Sequence, residues 1–209
     1  AAGVVLVPGQ EASAYRPALG RGLALVAIDR SPDGLDVDRV TVANVEGARR
    51  AVAHLLALGH RRVGLVGCPP GLSTSADRRR GYEAALADAG VRRLATLAEE
   101  GDFRPQGGMA AVERLLSREP RPTALFVTND LMTLGAYEAL RARGLRVPRD
   151  VAVVGFDDAP WAPWHDPPLT TVAQPAYELG RRAAELLLDR LEEPGRPPRS
   201  VVLEARLVV

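Results

Sequence analysis

Asp29, Thr74, Ser75, Arg78, Phe103, Asn129, Asp130, Asp157 and Asp158 come from segments far apart in the chain, yet each stands shortly after a brief apolar run. Residue types of this kind bind small polar molecules. A fixed carboxylate or amide engages a polyol through more than one hydrogen bond, and an arginine offers a planar fork of donors. An aromatic face stacks on sugar C–H groups or on a base. Each residue also has a plainer explanation. Asn129 and Asp130 are residue types that cap helices; Arg78 opens the run Arg78-Arg79-Arg80, which would suit a solvated helix face; Phe103 would serve as core; Asp158 reads as a surface or turn residue.

What joins these residues is the succession of elements between them. Val4–Val7 and Leu23–Ile28 are short and rich in β-branched residues, and are bounded by Pro8-Gly9 and by Asp29-Arg30-Ser31-Pro32, so each reads as a buried strand. Val40–Val42 is a third strand, and Asn44 opens a helix to about Leu58 with Ala48, Val52, Leu55 and Leu56 on one face. Strand, loop and helix then repeat. Arg62–Gly67, Leu94–Ala98, Thr123–Val127 and Val151–Val154 read as strands. The intervening helices are Ala76–Ala89, Gln106–Ser117 and one capped by Asn129-Asp130 and ended by Gly144. A helix over Ala176–Leu191 and a last strand over Val201–Val209 complete the chain. Regular β/α alternation with short loops predicts an α/β fold whose parallel sheet carries helices on both faces. In open sheets of that kind the carboxyl ends of the strands form the ligand rim. Val153-Val154-Gly155-Phe156 running straight into Asp157-Asp158 is the clearest instance. The long loop Asp158–Pro168, with two tryptophans and four prolines, is stiffer than a connector requires.

Composition narrows the function classes. The 209 residues are 46% hydrophobic, enough for one large domain or two small ones, and all 27 basic side chains are arginines against 26 acids. A formal charge of +1 gives this segment no clustered positive surface with which to grip a nucleic-acid backbone. The arginine bias, with heavy Ala, Leu and Pro usage, reads as the imprint of a GC-rich genome. No apolar run reaches the roughly 18–20 residues needed to span a bilayer, and the start lacks the charged region of a signal peptide. A single cysteine, Cys68, excludes an internal disulfide or a thiolate metal cluster. His54, His60 and His165 lack acidic or thiol companions at metal spacing. Gly67-Cys68-Pro69-Pro70-Gly71 matches no phosphate-binding loop, and Ser73, Ser75 and Cys68 have no evident His–acid partners. No catalysis, cofactor or metal is expected.

Several segments together resemble the lactose-repressor (LacI/GalR) family of bacterial transcription regulators, in its effector-binding core. They are Gly47-Ala48 through His54–Val63, Arg80-Gly81-Tyr82 with Ala85-Leu86 and Ala89-Gly90, and Gly101-Asp102-Phe103. Thr128-Asn129-Asp130 with Gly135-Ala136, Gly144–Val151, Val154–Asp158 and Pro167–Pro175 complete the set. The resemblance implies two doubly wound subdomains of the periplasmic-binding-protein type I kind. Residues 1–42 with 173–199 would form an incomplete N-terminal one and residues 43–172 with 200–209 the C-terminal one, with crossovers near Val42-Ala43, Val172-Ala173 and Arg199. It also implies a small effector, a sugar foremost, held between the subdomains. By position Asp29, Arg78, Phe103, Asn129 and Asp157 match effector contacts, as does Thr74 less directly, and Trp161 offers a second apolar wall or a subunit contact. A homodimer through Leu131–Arg143 and the Pro/Trp loop, a cytoplasmic location and operator binding by a helix-turn-helix upstream of Ala1 are further implications. A transport or chemotaxis sugar-binding protein is the alternative with the same fold. Ala43-Asn44 departs from the Asp-Asn of many relatives and removes an acid.

Overall fold

The structure, a computed structural model, describes residues 3–9, 11–31 and 34–209. Pro32, expected to bound the second strand, lies outside them. Among the described residues the chain runs β1 (Gly3–Leu6), α1 (Arg16–Gly20), β2 (Ala24–Ile28), β3 (Asp38–Val42), α2 (Asn44–Ala57), β4 (Val63–Gly67) and α3 (Ser73–Asp88). It continues with β5 (Ala98–Glu100), α4 (Pro105–Leu116), β6 (Ala124–Val127), α5 (Asp130–Ala142), β7 (Ala152–Phe156), β8 (Thr170–Ala173), α6 (Ala176–Glu192), β9 (Ser200–Leu203) and β10 (Arg206–Val208). Two compact units result. One comprises Ala1–Ala43, Leu72–Thr74 and Pro175–Glu204; the other comprises Asn44–Gly71, Ser75–Gln174 and Ala205–Val209.

The first unit holds a parallel sheet in the order β1-β2-β3-β9. Leu179, Ala183 and Leu186 repeat at helical spacing on α6 and are buried against the sheet, whose Leu25, Val26, Ala27 and Val40 are also buried. Each leucine or valine among them contributes on the order of 1.5–3 kcal/mol when removed from water. A charge cluster fastens the C-terminal end of α6 to β3. Asp38, fully buried, accepts from Arg190 Nε at 2.8 Å, from both terminal nitrogens of Arg196 at 2.8 and 3.0 Å, and from the Arg199 backbone N–H at 2.8 Å.

The second unit holds a sheet in the order β10-β8-β7-β6-β4-β5, parallel throughout except for β10. Every residue of β4, β6 and β7 is buried, as a sheet covered on both faces requires. Counted in chain order within the unit, its parallel strands run 2-1-3-4-5, and the order reverses between β4 and β6. The carboxyl ends of those two strands therefore flank a topological switch point. Helices α4 and α5 approach more closely than side chains would permit. A Cβ on Gly135 would lie 1.8 Å from the Pro105 carbonyl oxygen, and one on Gly108 would lie 2.3 Å from that of Met132. Glycine at both positions lets the two backbones touch, which fixes the loop ahead of α4 beside the start of α5.

The α/β alternation is as expected, and boundary differences have local causes. The helix expected from Ala76 begins at Ser73, so Thr74 and Ser75, expected in the preceding loop, lie on α3 together with Arg78. Ser75 Oγ there donates to the Cys68 carbonyl at 2.8 Å. The strand expected over Leu94–Ala98 is a 3-10 turn, Ala95–Leu97, followed by β5. One turn of 3-10 helix (Ala12–Ala14) and α1 had no periodic signal, being too short to show one. The last strand, expected as one piece over Val201–Val209, is divided. β9 pairs with β3 in the first sheet and β10 with β8 in the second, so the third passage between sheets falls at Glu204–Ala205 rather than near Arg199. Both pieces are apolar, Val201–Leu203 and Leu207–Val209, and nothing in them marks the change of partner.

Candidate ligand-binding site

In the second unit, the carboxyl ends of β4, β5, β6, β7 and β8 lie along one edge, and Arg78 is its centre. Arg78 is 4% exposed, and each neighbour of its guanidinium fixes a different part of it. Nε donates to Asn44 Oδ1 at 2.8 Å and Nη1 to the Thr128 carbonyl at 2.7 Å. Its carbon stands 3.7 Å from the centre of the Phe156 ring, a cation–π arrangement. Asp157 Oδ2 lies 3.7 Å from Nη1, so the cation has a carboxylate neighbour at ion-pair distance. The other Asp157 oxygen accepts from Gln174 Nε2. The start of α2 and the ends of β6 and β7 thus hold one guanidinium borne on the helix that follows β4.

Three of the expected residues share a backbone property. Asp29, Phe103 and Asp157 have φ of 68°, 65° and 76°, and among the described residues they are the non-glycine positions with positive φ. This left-handed region is sparsely populated by side chains other than Asn and Asp, and where it persists the surroundings must enforce it. At Asp157 the enforcing bonds are visible: its N–H donates to the Val172 carbonyl at 3.0 Å, ending β7 while β8 continues beside it. At Asp29 the N–H donates to the Val40 carbonyl at 2.9 Å. The chain turns sharply at the last rung in both cases, which throws the carboxylate off the strand end.

The remaining assignments divide. Asn129 is the cap of α5: its Oδ1 accepts from the Met132 N–H at 3.2 Å and its Nδ2 donates to Asp130 Oδ1 at 3.0 Å. Capping accounts for the residue on its own, and it adjoins Thr128, whose carbonyl holds Arg78. Phe103 and Trp161 are both half-buried against one apolar cluster that includes Met132, Ala136 and Leu169. Each is intermediate in exposure, so the core reading accounts for only part of Phe103. Trp161 packs edge-on to His165 at 5.5 Å between centroids, and His165 in turn lies 4.3 Å from Tyr137 of α5. Burial pushes the Tyr137 hydroxyl up to about 12. His165 therefore serves as packing that pins the Pro/Trp loop. Asp158 is an exposed turn residue accepting from Thr171 Oγ1 at 3.1 Å.

In the first unit, Asp29 stands at the carboxyl end of β2, with Arg30 Nε 3.5 Å from its Oδ2. Thr74 is buried at the start of α3, next to Ser73, whose Oγ accepts from the Ser31 N–H at 3.3 Å. Among the described residues no group of three or more His, Cys, Asp or Glu side chains is placed to hold a metal ion, and no helix is long and apolar enough to cross a membrane.

Sequence reasoning missed Asn44, Phe156, Thr128 and Gln174. Asn44 read only as a helix opener and Phe156 only as strand. The usable signal for two of them was proximity in sequence, since Phe156 precedes Asp157 and Thr128 precedes Asn129; Gln174 directly follows β8 and had no such signal.

Comparison with known proteins bears on what this arrangement is for. Residues 52–209 match the family model described as periplasmic binding protein-like domain. The HTH-type transcriptional regulator CelR of Thermobifida fusca is 42% identical over 173 residues, which are 83% of this chain and 51% of that protein. The ribose operon repressor of Haemophilus influenzae is 33% identical over 207 residues, 99% of this chain and 62% of the repressor. A solved structure described as a transcriptional regulator CelR–cellobiose complex covers 99% of this chain with a TM-score of 0.92 at 39% identity, and 64% of its own chain is matched. The chain thus spans from about half to three fifths of the length of these curated relatives.

Proposed function

Because the chain belongs to the LacI-type family of periplasmic-binding-protein-like regulators, we propose that it is the effector-binding part of a transcription regulator and that its effector is a small sugar. The observation that carries the proposal is the immobilised Arg78 beside Asp157 at the switch point, a donor fork and an acceptor set side by side on a buried base. A pair of that kind answers the alternating donor and acceptor character of vicinal hydroxyls. Phe103 supplies an apolar face for sugar C–H groups, and Asn129, Asp29, Thr74 and Trp161 are further proposed contacts. Sugars come first because one relative is solved with cellobiose and another is named for ribose. The same relatives favour a regulator over a transport or chemotaxis binding protein of this fold.

The ligand undergoes no reaction in this reading. It binds one conformational state of the regulator more tightly than another, and a differential of about 1–3 kcal/mol is enough to change operator affinity. DNA would be gripped by a helix-turn-helix outside these 209 residues, in a cytoplasmic homodimer. Leu131 on α5 and Trp164 in the Pro/Trp loop, both exposed apolar side chains, would supply the subunit contact.

A thermal-shift screen of the full-length protein against mono- and disaccharides, sugar phosphates, nucleosides and purine bases tests the proposal. A ligand present at about 100 times its dissociation constant stabilises the folded state by roughly 2.7 kcal/mol. A disaccharide or monosaccharide that raises the midpoint supports the sugar reading. A nucleoside or purine that does so in place of sugars, or a folded protein that responds to none of the panel, refutes it.

A further inference from the structure

We infer that Asn44, the first residue of α2, positions Arg78 for its ligand; the inference rests on the sugar-binding reading above and concerns how that site is prepared. A guanidinium has five N–H donors, and its orientation is set once two non-parallel bonds are fixed. Here Asn44 takes Nε and the Thr128 carbonyl takes Nη1, while the Phe156 ring holds the plane from one side. Nη2 is then directed by its neighbours rather than by its own torsions. Asn44 is 3% exposed, so its amide has little freedom to leave the bond.

The choice of an amide matters as much as its place. A carboxylate at position 44 would orient Arg78 equally well but would also neutralise it. Asn44 orients the cation without adding a charge, which leaves Asp157, 3.7 Å from Nη1, as its carboxylate neighbour. A ligand oxygen at Nη2 then receives a charge-assisted hydrogen bond, stronger than a neutral one. Ala43, immediately before α2, likewise adds no carboxylate.

The test uses the full-length protein and three substitutions. Asn44→Ser keeps a residue suited to a helix start but is too short to reach Nε; Asn44→Asp keeps the acceptor; Arg78→Lys removes Nε while keeping the charge. With cellobiose and ribose as the titrants in calorimetry, Asn44→Ser should weaken binding about tenfold, equivalent to ~1.4 kcal/mol. Asn44→Asp should retain the orientation and bind more tightly than Asn44→Ser. In the Arg78→Lys background the Asn44→Ser change should alter affinity by no more than about twofold, because its effect runs through Arg78. An equal loss in both backgrounds, or no loss in either, overturns the inference. Should neither sugar bind the parent protein, the sugar reading is left to the wider thermal-shift panel, and the positioning role is decided by NMR of the arginine Nε–H groups. One slowly exchanging Nε–H signal should vanish in Arg78→Lys, survive in Asn44→Asp and lose its protection in Asn44→Ser. Its persistence in Asn44→Ser would overturn the role.

Discussion

Replacing Asp38 by asparagine changes one atom and should cost the protein a large share of its stability. The buried carboxylate accepts four hydrogen bonds, from Arg190, twice from Arg196 and from the Arg199 backbone. An amide of the same shape offers one oxygen and turns a donor toward the rest. The side chains of Arg190 and Arg196 are 14% and 5% exposed, so both cations would stay desolvated with their counter-charge gone. Backbone carbonyls of Pro194, Arg196, Leu186 and Pro197 also accept from the two side chains, but these neutral acceptors carry no counter-charge, and Arg190 Nη2 and Arg196 Nε are already buried without a partner among the described residues. Removing one member of a buried, bonded charge group costs about 3–5 kcal/mol, against a typical total of roughly 5–15 kcal/mol. In urea, with a slope of about 1–3 kcal/mol/M, the midpoint should fall by at least about 1 M at unchanged slope.

Acid provides an independent arm of the same experiment. Burial alone would lift the Asp38 carboxyl, but hydrogen bonds from Arg190, Arg196 and Arg199 outweigh it and hold the folded-state value below the ordinary 3.8. A value lower in the folded than in the unfolded chain gives stability that is complete above the unfolded value. That stability drains as pH falls through the folded one. The gap between the parent and Asp38→Asn should therefore be constant from pH 7 to about pH 5 and narrow below about pH 4. A loss under about 1 kcal/mol at pH 7, or a gap that widens on acidification, would refute the account of the cluster.

Asp157→Asn keeps a side chain that tolerates φ of 76° but removes the charge beside Arg78, so calorimetry should show sugar affinity reduced by about 10–100-fold. Asp157→Ala should lose about 1 kcal/mol more in thermal stability than the asparagine variant, from backbone strain; undiminished binding in both would remove Asp157 from the site. Gly135→Ala should destabilise by about 1–3 kcal/mol, because its Cβ would sit 1.8 Å from the Pro105 carbonyl oxygen. The exposed Gly180 of α6, with nothing near its Cβ position, should instead gain up to about 1 kcal/mol on the same change, and matching responses at the two glycines would show that α4 and α5 are not in backbone contact.

The β/α alternation was legible because buried parallel strands and amphipathic helices write different periods into a sequence, and Val153–Phe156 or Ala48–Leu56 leave little choice. The rim residues were legible for a related reason, since a polar residue directly after a buried strand has one place to go. The change of sheet between Leu203 and Ala205 was not, because strand pairing is decided by partners remote in sequence and nothing in the apolar pieces Val201–Leu203 and Leu207–Val209 marks it. Asn44 was hidden by its own aptitude for opening helices. Its bond to Arg78 spans 34 positions, and only a fold can bring the two together. The positive φ values were equally silent, for Asp29 and Asp157 suit a turn as well as a site, and Phe103 gives no hint of one.

The left-handed backbone at residues 29, 103 and 157 also limits what the protein can become. A ligand site is ordinarily remodelled by sampling all side chains at the positions that touch the ligand. At these three proposed contacts the alphabet is short: asparagine, aspartate and glycine fit the conformation best, β-branched residues are disfavoured by the turn before any ligand is considered, and Phe103 is held there by its surroundings. Directed evolution toward a new effector would meet a nearly fixed frame there. Productive variation would concentrate where the backbone is ordinary, on the helix-borne Arg78 and the half-exposed Trp161, so that new specificity arises by changing what is set into the frame rather than the frame itself.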